Sequence, residues 1–419
     1  MSGDKILMSA KEARRLQLLE LVREGRLSLR EAASKMGLGY RQAKRLRKRL
    51  AIDGPRGLVH RSRGRDGPNG LDRDVRMRIV TLAQERYGSF NDTHLTEMLA
   101  EREGIRVSRE CVRRLLRAAG LPAKRTRKVR RHHRRRPRKA QAGMMMLWDG
   151  SPHAWFGSRR PACCLMAAMD DATSTVLAAR FVTQESGAGY LWLLDRVVRR
   201  HGVPQSVYQD RHGALRRNDD FWSLEEQLAG RRTPTQVGAA LMALQIQPIY
   251  ALTPQAKGRV ERLFNTLQDR LVAEMELAEI DTIEQGNRFL ANGFLTRFNR
   301  HFAVPADEVQ SAYAAVPRGL DLKRAISFRY QATVRNDNAV KLGDVMIDIP
   351  PNAQRRSYAQ AKVEVRQLLD GSWRVYYRDQ LIARHERTEF REPWPVRGQR
   401  KKSLKGVRET LWIYLASKA

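Results

Sequence analysis

Between Lys124 and Lys139 the chain places eleven Lys and Arg in sixteen residues, together with His132 and His133 and no acid. Such a run cannot fold by itself. It has to be a tether, and it sets a basic amino-terminal third of the 419-residue chain apart from a larger remainder. Residues 1–141 hold 39 Lys and Arg against 15 Asp and Glu, so +24 of the formal net charge of +34 lies there. That concentration calls for a polyanionic partner, bound with strong salt dependence. Length suggests about three domains. No apolar run is long enough to span a bilayer and no secretory signal is seen, so no membrane role is expected. Cys111, Cys163 and Cys164 make no CxxC pair and no even disulfide set. They read as reduced core residues of a cytoplasmic protein. No cysteine stands at ligand spacing near His132 and His133, so zinc is not expected there.

Within the basic third, Lys11–Glu24 is a helical pattern ended by Gly25. Ser28-Leu29-Arg30-Glu31 is a capping box that opens a second helix, which stops at Gly37, and Tyr40–Leu50 forms a third. A short helix, a glycine turn and a basic helix make a helix-turn-helix over residues 1–50. Arg41, Gln42, Lys44 and Arg45 of its recognition helix would face the major groove or its phosphates. A three-helix bundle with a solvated basic face is the alternative. Residues 51–70, rich in Gly, Pro and Arg, read as a linker. Residues 71–121 read as a second helical unit, with helices over Arg73–Arg86, Asp92–Arg102 and a Ser108-capped RECVRRLLRAAG. Arg109, Arg113 and Arg114 crowd the last of these, in the manner of a winged-type helix-turn-helix; packing of these helices on the rest of the chain is the alternative. Residues 122–141 are the basic linker, in which Lys124, Arg125, Arg127, Arg130 and Arg131 would track a phosphate backbone.

The remainder carries its chemistry on acids at the ends of apolar runs. Asp149 closes the apolar part of MMMLWDGS and precedes Gly150-Ser151-Pro152; Asp210 closes VPQSVYQD and precedes Arg211-His212-Gly213. Each reads as a buried strand that ends in an acid and then turns. A strand-end Asp is costly in a core, yet sits well where strand ends open on a cleft. The strands expected are Met144–Gly150, Ala162–Met169, Val176–Val182, Ser206–Gln209 and Gln247–Ala251, with helices over Gly189–His201 and Thr235–Leu244. Asp170 and Asp171, in Asp-Asp-Ala-Thr-Ser, read as hairpin turn chemistry rather than as catalytic acids. Glu261 lies in TPQAKGRVERLFNTLQDR, from Thr253 to Arg270. There Val260, Leu263, Phe264, Leu267 and Leu271 make one apolar helix face, and Lys257, Glu261, Asn265 and Gln268 another. A solvated helix with an ordinary surface glutamate would show the same spacing. Together with Asp149 and Asp210, however, Glu261 makes a set of three carboxylates. Such a set repels itself unless a hard cation holds it, and oxygen ligands suit magnesium or manganese. Two such ions about 4 Å apart activate an attacking oxygen and stabilise a leaving oxygen in phosphodiester displacement.

This set of acids, with QAKGRVER around the glutamate, resembles the DDE catalytic core of retroviral integrases and bacterial insertion-sequence transposases. The glutamate segment is close to the PQ-(A/S)-KG-x-(V/I)-ER-x-(F/L)-x-TLQ pattern of that superfamily. The likeness is strong from residue 142 to about residue 300 and looks closest to the ISNCY group of transposases. It implies an RNase H-like mixed-sheet core over residues 142–323. By the same resemblance, Asp149 would bridge two magnesium (or manganese) ions, Asp210 would hold one and Glu261 the other, with Lys257 at the adjacent phosphate or base. The implied partner is double-stranded DNA, as the terminal inverted repeats of an element and as target. The implied assembly is a homo-oligomer, at least a dimer, on DNA in the bacterial cytoplasm, associated with the nucleoid. Fifty residues separate Asp210 from Glu261, more than in a retroviral integrase, and residues 218–236 read as an insertion. The rival readings are a metal-dependent endonuclease of the same fold and a sequence-specific DNA-binding regulator with an inactive core.

Residues 324–393 change character. VRNDNAV and LLDGSWRVYY alternate about turn signals, Asp370-Gly371 being the strongest. Five short strands read as a small β-barrel, with Arg355, Arg356, Lys362, Arg366, Arg374 and Arg378 on a DNA-facing side. A basic and aromatic tail, residues 394–419, closes the chain. The expected architecture is therefore multidomain, α and α/β: amino-terminal helix-turn-helix units, an RNase H-like mixed-sheet catalytic core and a carboxy-terminal small β-barrel.

Overall fold

The computed structural model describes residues 6–60, 70–124, 136–217, 224–230, 232–251, 258–351 and 355–389. The chain divides into two compact units, Met1–Thr81 and Leu82–Ala419.

In the first unit, helices α1 (Ala10–Arg23) and α2 (Leu29–Met36) each open with a capping box, Ser9 with Glu12 and Ser28 with Glu31. Helix α2 stops at Gly37, whose φ of 65° is left-handed. Helix α3 (Tyr40–Asp53) runs three residues past the expected end. Leu19, Leu29, Ala33, Ala43, Leu46 and Leu58 form the core. Leu58 comes from a 3-10 turn, Gly54–Leu58, that folds back on α3. A Cβ at Gly57 would stand 2.4 Å from the Arg49 carbonyl oxygen, so the turn needs glycine there. With Ala43 and Leu46 turned inward, Arg41, Gln42, Lys44 and Arg45 of α3 are exposed. Helix α4 (Arg73–Glu85) follows.

In the second unit, α5 (Asp92–Arg102) and α6 (Arg109–Ala118) start at the Asn91 and Ser108 caps. A five-stranded sheet comes next. Strands β1 (Met146–His153), β2 (Cys163–Asp170) and β3 (Val176–Val182) are antiparallel neighbours. Helix α7 (Gly187–His201) crosses to β4 (Ser206–Gln209); α8 (Leu224–Ala229) and α9 (Gln236–Ala243) precede β5 (Gln247–Tyr250). Strand β4 runs parallel to β1, and β5 parallel to β4, giving the order β3-β2-β1-β4-β5. Parallel neighbours require such crossovers, which is why helices cover the sheet. Met146, Trp148, Met166 and Val207 face α7 and α9. Met145, Leu147, Leu165 and Phe181 pack with α10 (Gly258–Leu277), α11 (Ile283–Phe289) and α12 (Leu295–Phe302). Trp148, Trp155 and Phe156 are buried core residues.

Helix α13 (Leu322–Ala325) leads into six strands, one more than expected: β6 (Ser327–Thr333), β7 (Ala339–Leu342), β8 (Val345–Asp348), β9 (Lys362–Leu368), β10 (Trp373–Tyr377) and β11 (Gln380–His385). They pair as a four-stranded antiparallel sheet, β11-β10-β9-β6, and a separate β7-β8 pair. Phe328, Val365 and Trp373 belong to the same core as α7 and α9. Gln236 of α9 joins the sheet by two bonds to the Arg329 backbone, at 2.7 and 2.8 Å. Arg366 donates to Glu364 at 2.8 Å and Arg374 to Asp321 at 3.3 Å. Those two arginines are tied into intramolecular pairs, whereas Arg355 and Arg378 stack on the Tyr377 ring. Among the described residues, no helix is long and apolar enough to cross a membrane.

Candidate active site

Side chains alternate along a strand, so Met145, Leu147 and Asp149 share the α10 side of the sheet. Leu147 is level with Tyr208 in the parallel β1-β4 pair, and Tyr208 packs on that same side. The paired register ends there; carried two residues further along each chain, it would set Asp149 beside Asp210. On the opposite face Trp148 Nε1 donates to Gln209 Oε1 at 3.0 Å, which holds that register. Both aspartates are half-buried. Asp210 Oδ1 accepts the His212 N–H at 2.9 Å, the turn expected after the strand. The turn expected after Asp149 does not form. Gly150, Ser151 and Pro152 continue β1, because β2 goes on pairing as far as His153 with Cys163. Asp149 therefore lies inside its own strand, just beyond the level at which β4 ends, and is not the last residue of β1. Two half-buried carboxylates on neighbouring parallel strands are an all-oxygen donor pair suited to a hard divalent cation.

Helix α10 starts at Gly258, so Glu261 stands in its first turn. Val260, Leu263, Phe264, Leu267 and Leu271 are buried, as their spacing predicts. Glu261 and Asn265 are exposed. Gln268, on the same face, donates from Nε2 to Ser151 Oγ at 3.2 Å. The polar face of α10 is thus anchored two residues beyond Asp149 through Gln268. Glu261 lies two turns earlier, about 10 Å along the axis. Among the described residues no three His, Cys, Asp or Glu side chains are grouped so as to hold a metal ion. Asp149 and Asp210 follow adjacent parallel strands, and Glu261 stands in the first turn of α10.

Asp170 behaves as turn chemistry, accepting from Ala172 N–H and Thr173 N–H at 3.0 Å each. It also holds Gly143 N–H at 2.8 Å and the Tyr313 hydroxyl at 3.1 Å. Asp171 does something else. Its side chain is fully buried and takes Arg136 Nη2 at 2.5 Å, the Lys139 N–H at 2.9 Å and the Arg259 guanidinium. Arg259 Nη2 also donates to the Arg136 carbonyl at 2.6 Å. This clasp joins the end of the basic linker to the first turn of α10, two residues before Glu261. Burial alone would push the Asp171 carboxyl up; the bonds from Arg136, Arg259 and the Lys139 N–H outweigh it and hold the group below the usual carboxylate range.

Helix α5 docks on α10. Asn91 bonds Asp269, Arg270 Nη2 donates to Glu97 Oε1 at 3.0 Å, and the buried His94 faces Glu274 at 3.4 Å. Helix α6 buries Val112 and Leu116 and exposes Arg109, Arg113 and Arg114. Arg113 and Arg114 share Glu110, and their bonds lower its carboxyl to about 2. Arg117 ties α6 to Asp92 at 2.6 Å. Lys124 is exposed. Arg125, Arg127, Arg130, Arg131 and Lys257 lie outside the described residues, as do Asp219 and Asp220 of the insertion and the tail 394–419.

Sequence reasoning missed Glu185, between β3 and α7. Tyr190 Oη donates to its Oε1 at 2.5 Å, and His212 Nδ1 stands 3.8 Å from that oxygen. Burial, the Glu185 charge and its hydrogen bond push the Tyr190 phenol well above its usual range, with Asp149 and Asp210 adding to the effect. The only local signal was Gly150 directly after Asp149, which had read as a turn residue.

A family model described as a helix-turn-helix domain matches residues 14–67. The chain is 33% identical over 393 residues to "Putative transposase y4bF" of Sinorhizobium fredii, covering 90% of this chain and 83% of that one. It is 30% identical over 325 residues to the transposase for insertion sequence IS1202 of Streptococcus pneumoniae, covering 70% and 68%. A chain in the cryo-EM structure of the simian T-cell lymphotropic virus intasome, in complex with PP2A regulatory subunit B56 gamma, matches 75% of this chain and 100% of its own length. The identity there is 13% and the TM-score 0.29.

Proposed function

This chain belongs to the insertion-sequence transposases, and on that premise we propose that it is a DDE enzyme that binds the terminal inverted repeats of its element, cuts there and joins the freed end to target DNA. The helix-turn-helix match supports DNA binding by the first unit. What supports the catalytic reading is the β1-β4 register, Met146 with Val207 and Leu147 with Tyr208, which carried two residues further would put Asp149 level with Asp210. The sheet order, with three antiparallel strands followed by two parallel ones, supports an RNase H-like core. Strands β6 to β11 are read as a small barrel-type module.

Asp149 and Asp210 would hold magnesium or manganese, with Glu261 as the third carboxylate. When bound, two such ions supply activation of the attacking oxygen and neutralisation of charge on the phosphate. The chain's own groups orient the rest. Gln268 fixes α10 on Ser151, Lys257 would meet a phosphate beside the cut, and the basic linker would track the backbone. Water opens the phosphodiester at the element end, and the freed 3′-hydroxyl attacks target DNA by in-line displacement; no protein nucleophile is required.

End recognition belongs to residues 1–121 on this reading. A chain lacking residues 1–50 should lose part of its footprint on the element end, not all of it. Arg41→Ala and Arg45→Ala sort the contacts: a base contact costs about 1–3 kcal/mol at one position, and a phosphate contact weakens all sequences alike. An unchanged footprint without residues 1–50 would remove the first unit from end recognition.

Each of two ends needs one site, so we also propose at least a dimer on paired ends, with catalysis in trans. The test mixes Glu261→Gln with a subunit disabled at Arg41 and Arg45. Each alone should be inactive, the first by about a hundredfold or more in joining, and the mixture should regain joining. Normal joining by Glu261→Gln alone removes Glu261 from the site. No rescue between folded, associating partners removes the trans arrangement. Cutting without joining by the wild type would instead indicate an endonuclease.

A further inference from the structure

Glu185 precedes Ser186, the cap of α7, and its side chain is only 17% exposed. Three parts of the acid end of the sheet meet it. Tyr190, with no exposed surface, donates its hydroxyl to Oε1 at 2.5 Å. His212, from the turn after β4, brings Nδ1 to 3.8 Å from the same oxygen. Gly150, next to Asp149 on β1, leaves room for Oε2, since a Cβ there would stand 2.6 Å from it. His212 in turn holds Asp210: its backbone N–H donates to Asp210 Oδ1 at 2.9 Å. His212 Nδ1 accepts the Ala214 N–H at 3.3 Å, which orients the ring, so the ring meets Glu185 by packing at 3.8 Å and not by a hydrogen bond. A nearly buried carboxylate close to two others is a costly arrangement unless it has work at the site.

We propose that Glu185 is a positioning residue for the acid pair: pinned by Tyr190 and admitted by Gly150, it braces the His212 turn and so fixes the carboxylate of Asp210 toward a bound divalent cation. It does not touch the cation or the DNA. Partners of this outer kind typically set metal affinity by about 10- to 100-fold, because they orient the ligating group. The proposal rests on the reading of Asp210 as a metal ligand.

The test measures manganese binding to the protein on paired-end DNA, from the paramagnetic resonance signal of free Mn²⁺, alongside end binding and thermal midpoint. Glu185→Ala should raise the Mn²⁺ concentration at half-saturation by about tenfold, with end binding unchanged. Gly150→Ala should shift it the same way, because the new methyl displaces Glu185. Glu185→Gln keeps an acceptor for Tyr190 and should recover part of the loss. Tyr190→Phe should lose less than Glu185→Ala. Asp210→Asn serves as the reference for the site itself. If it weakens manganese binding while Glu185→Ala and Gly150→Ala stay within twofold of wild type, the brace is overturned and the acid pair stands. If Asp210→Asn also leaves manganese binding unchanged, both are overturned.

Discussion

Asp149→Asn is expected to stop DNA cleavage and strand joining together, while element-end binding stays within a few-fold of wild type. Asparagine has nearly the same volume and keeps the strand pairing with Ala167, so the sheet should persist. What is lost is one negative charge from a half-buried acid pair. A ligand removed from such a pair should cost joining about a thousandfold or more, equal to about 4 kcal/mol of barrier. The measurement is joining of oligonucleotide ends with magnesium and with manganese. The same change at Asp219 or Asp220, both in the insertion, should have mild effects. Near-normal joining by Asp149→Asn would sink the reading of the acid pair as catalytic.

The second large effect concerns stability. Asp171→Ala leaves the Arg259 guanidinium, with a side chain only 13% exposed, without its buried carboxylate. Arg136 is 37% exposed and can turn to water, so the loss falls mainly on Arg259. Breaking a buried pair in this way costs about 3 kcal/mol. For a unit spanning Leu82–Ala419 that corresponds to a fall in Tm of roughly 4 °C. The pH dependence has a defined sign. The folded-state pKa of Asp171 is depressed, so its contribution is whole above the unfolded value near 4 and fades as pH falls through the depressed one. Wild type and variant should converge in stability at acid pH. A midpoint within 2 °C of wild type at neutral pH, read by calorimetry, would show that the clasp stabilises nothing.

Much of the fold was legible because it depends on near neighbours. The capping box at Ser28 and the left-handed Gly37 act over three or four residues, and the start and stop of α2 follow from them. The apolar repeat of α10 and the apolar runs of β2, β3 and β4 likewise signal their own elements. The turn after Asp210, closed by the His212 N–H, was legible because it is local.

Tertiary structure alone decided the partners. Whether Gly150 to Pro152 turned or ran on depended on β2, a separate strand. Asp170 and Asp171 are neighbours in one hairpin, yet one caps its own turn while the other binds Arg136 and Arg259, 35 and 88 residues away. Helix α5 found α10 across 173 residues through Glu97 and Arg270. Glu185 joined the acid end only because β3, α7 and the turn after β4 converge there. A cap or an apolar stripe is written into a few consecutive residues, where chain geometry already fixes which atoms meet. A charged side chain carries no such address: its partner is whichever opposite charge the packing of distant elements brings within reach, and only burial of the shared core makes that meeting permanent.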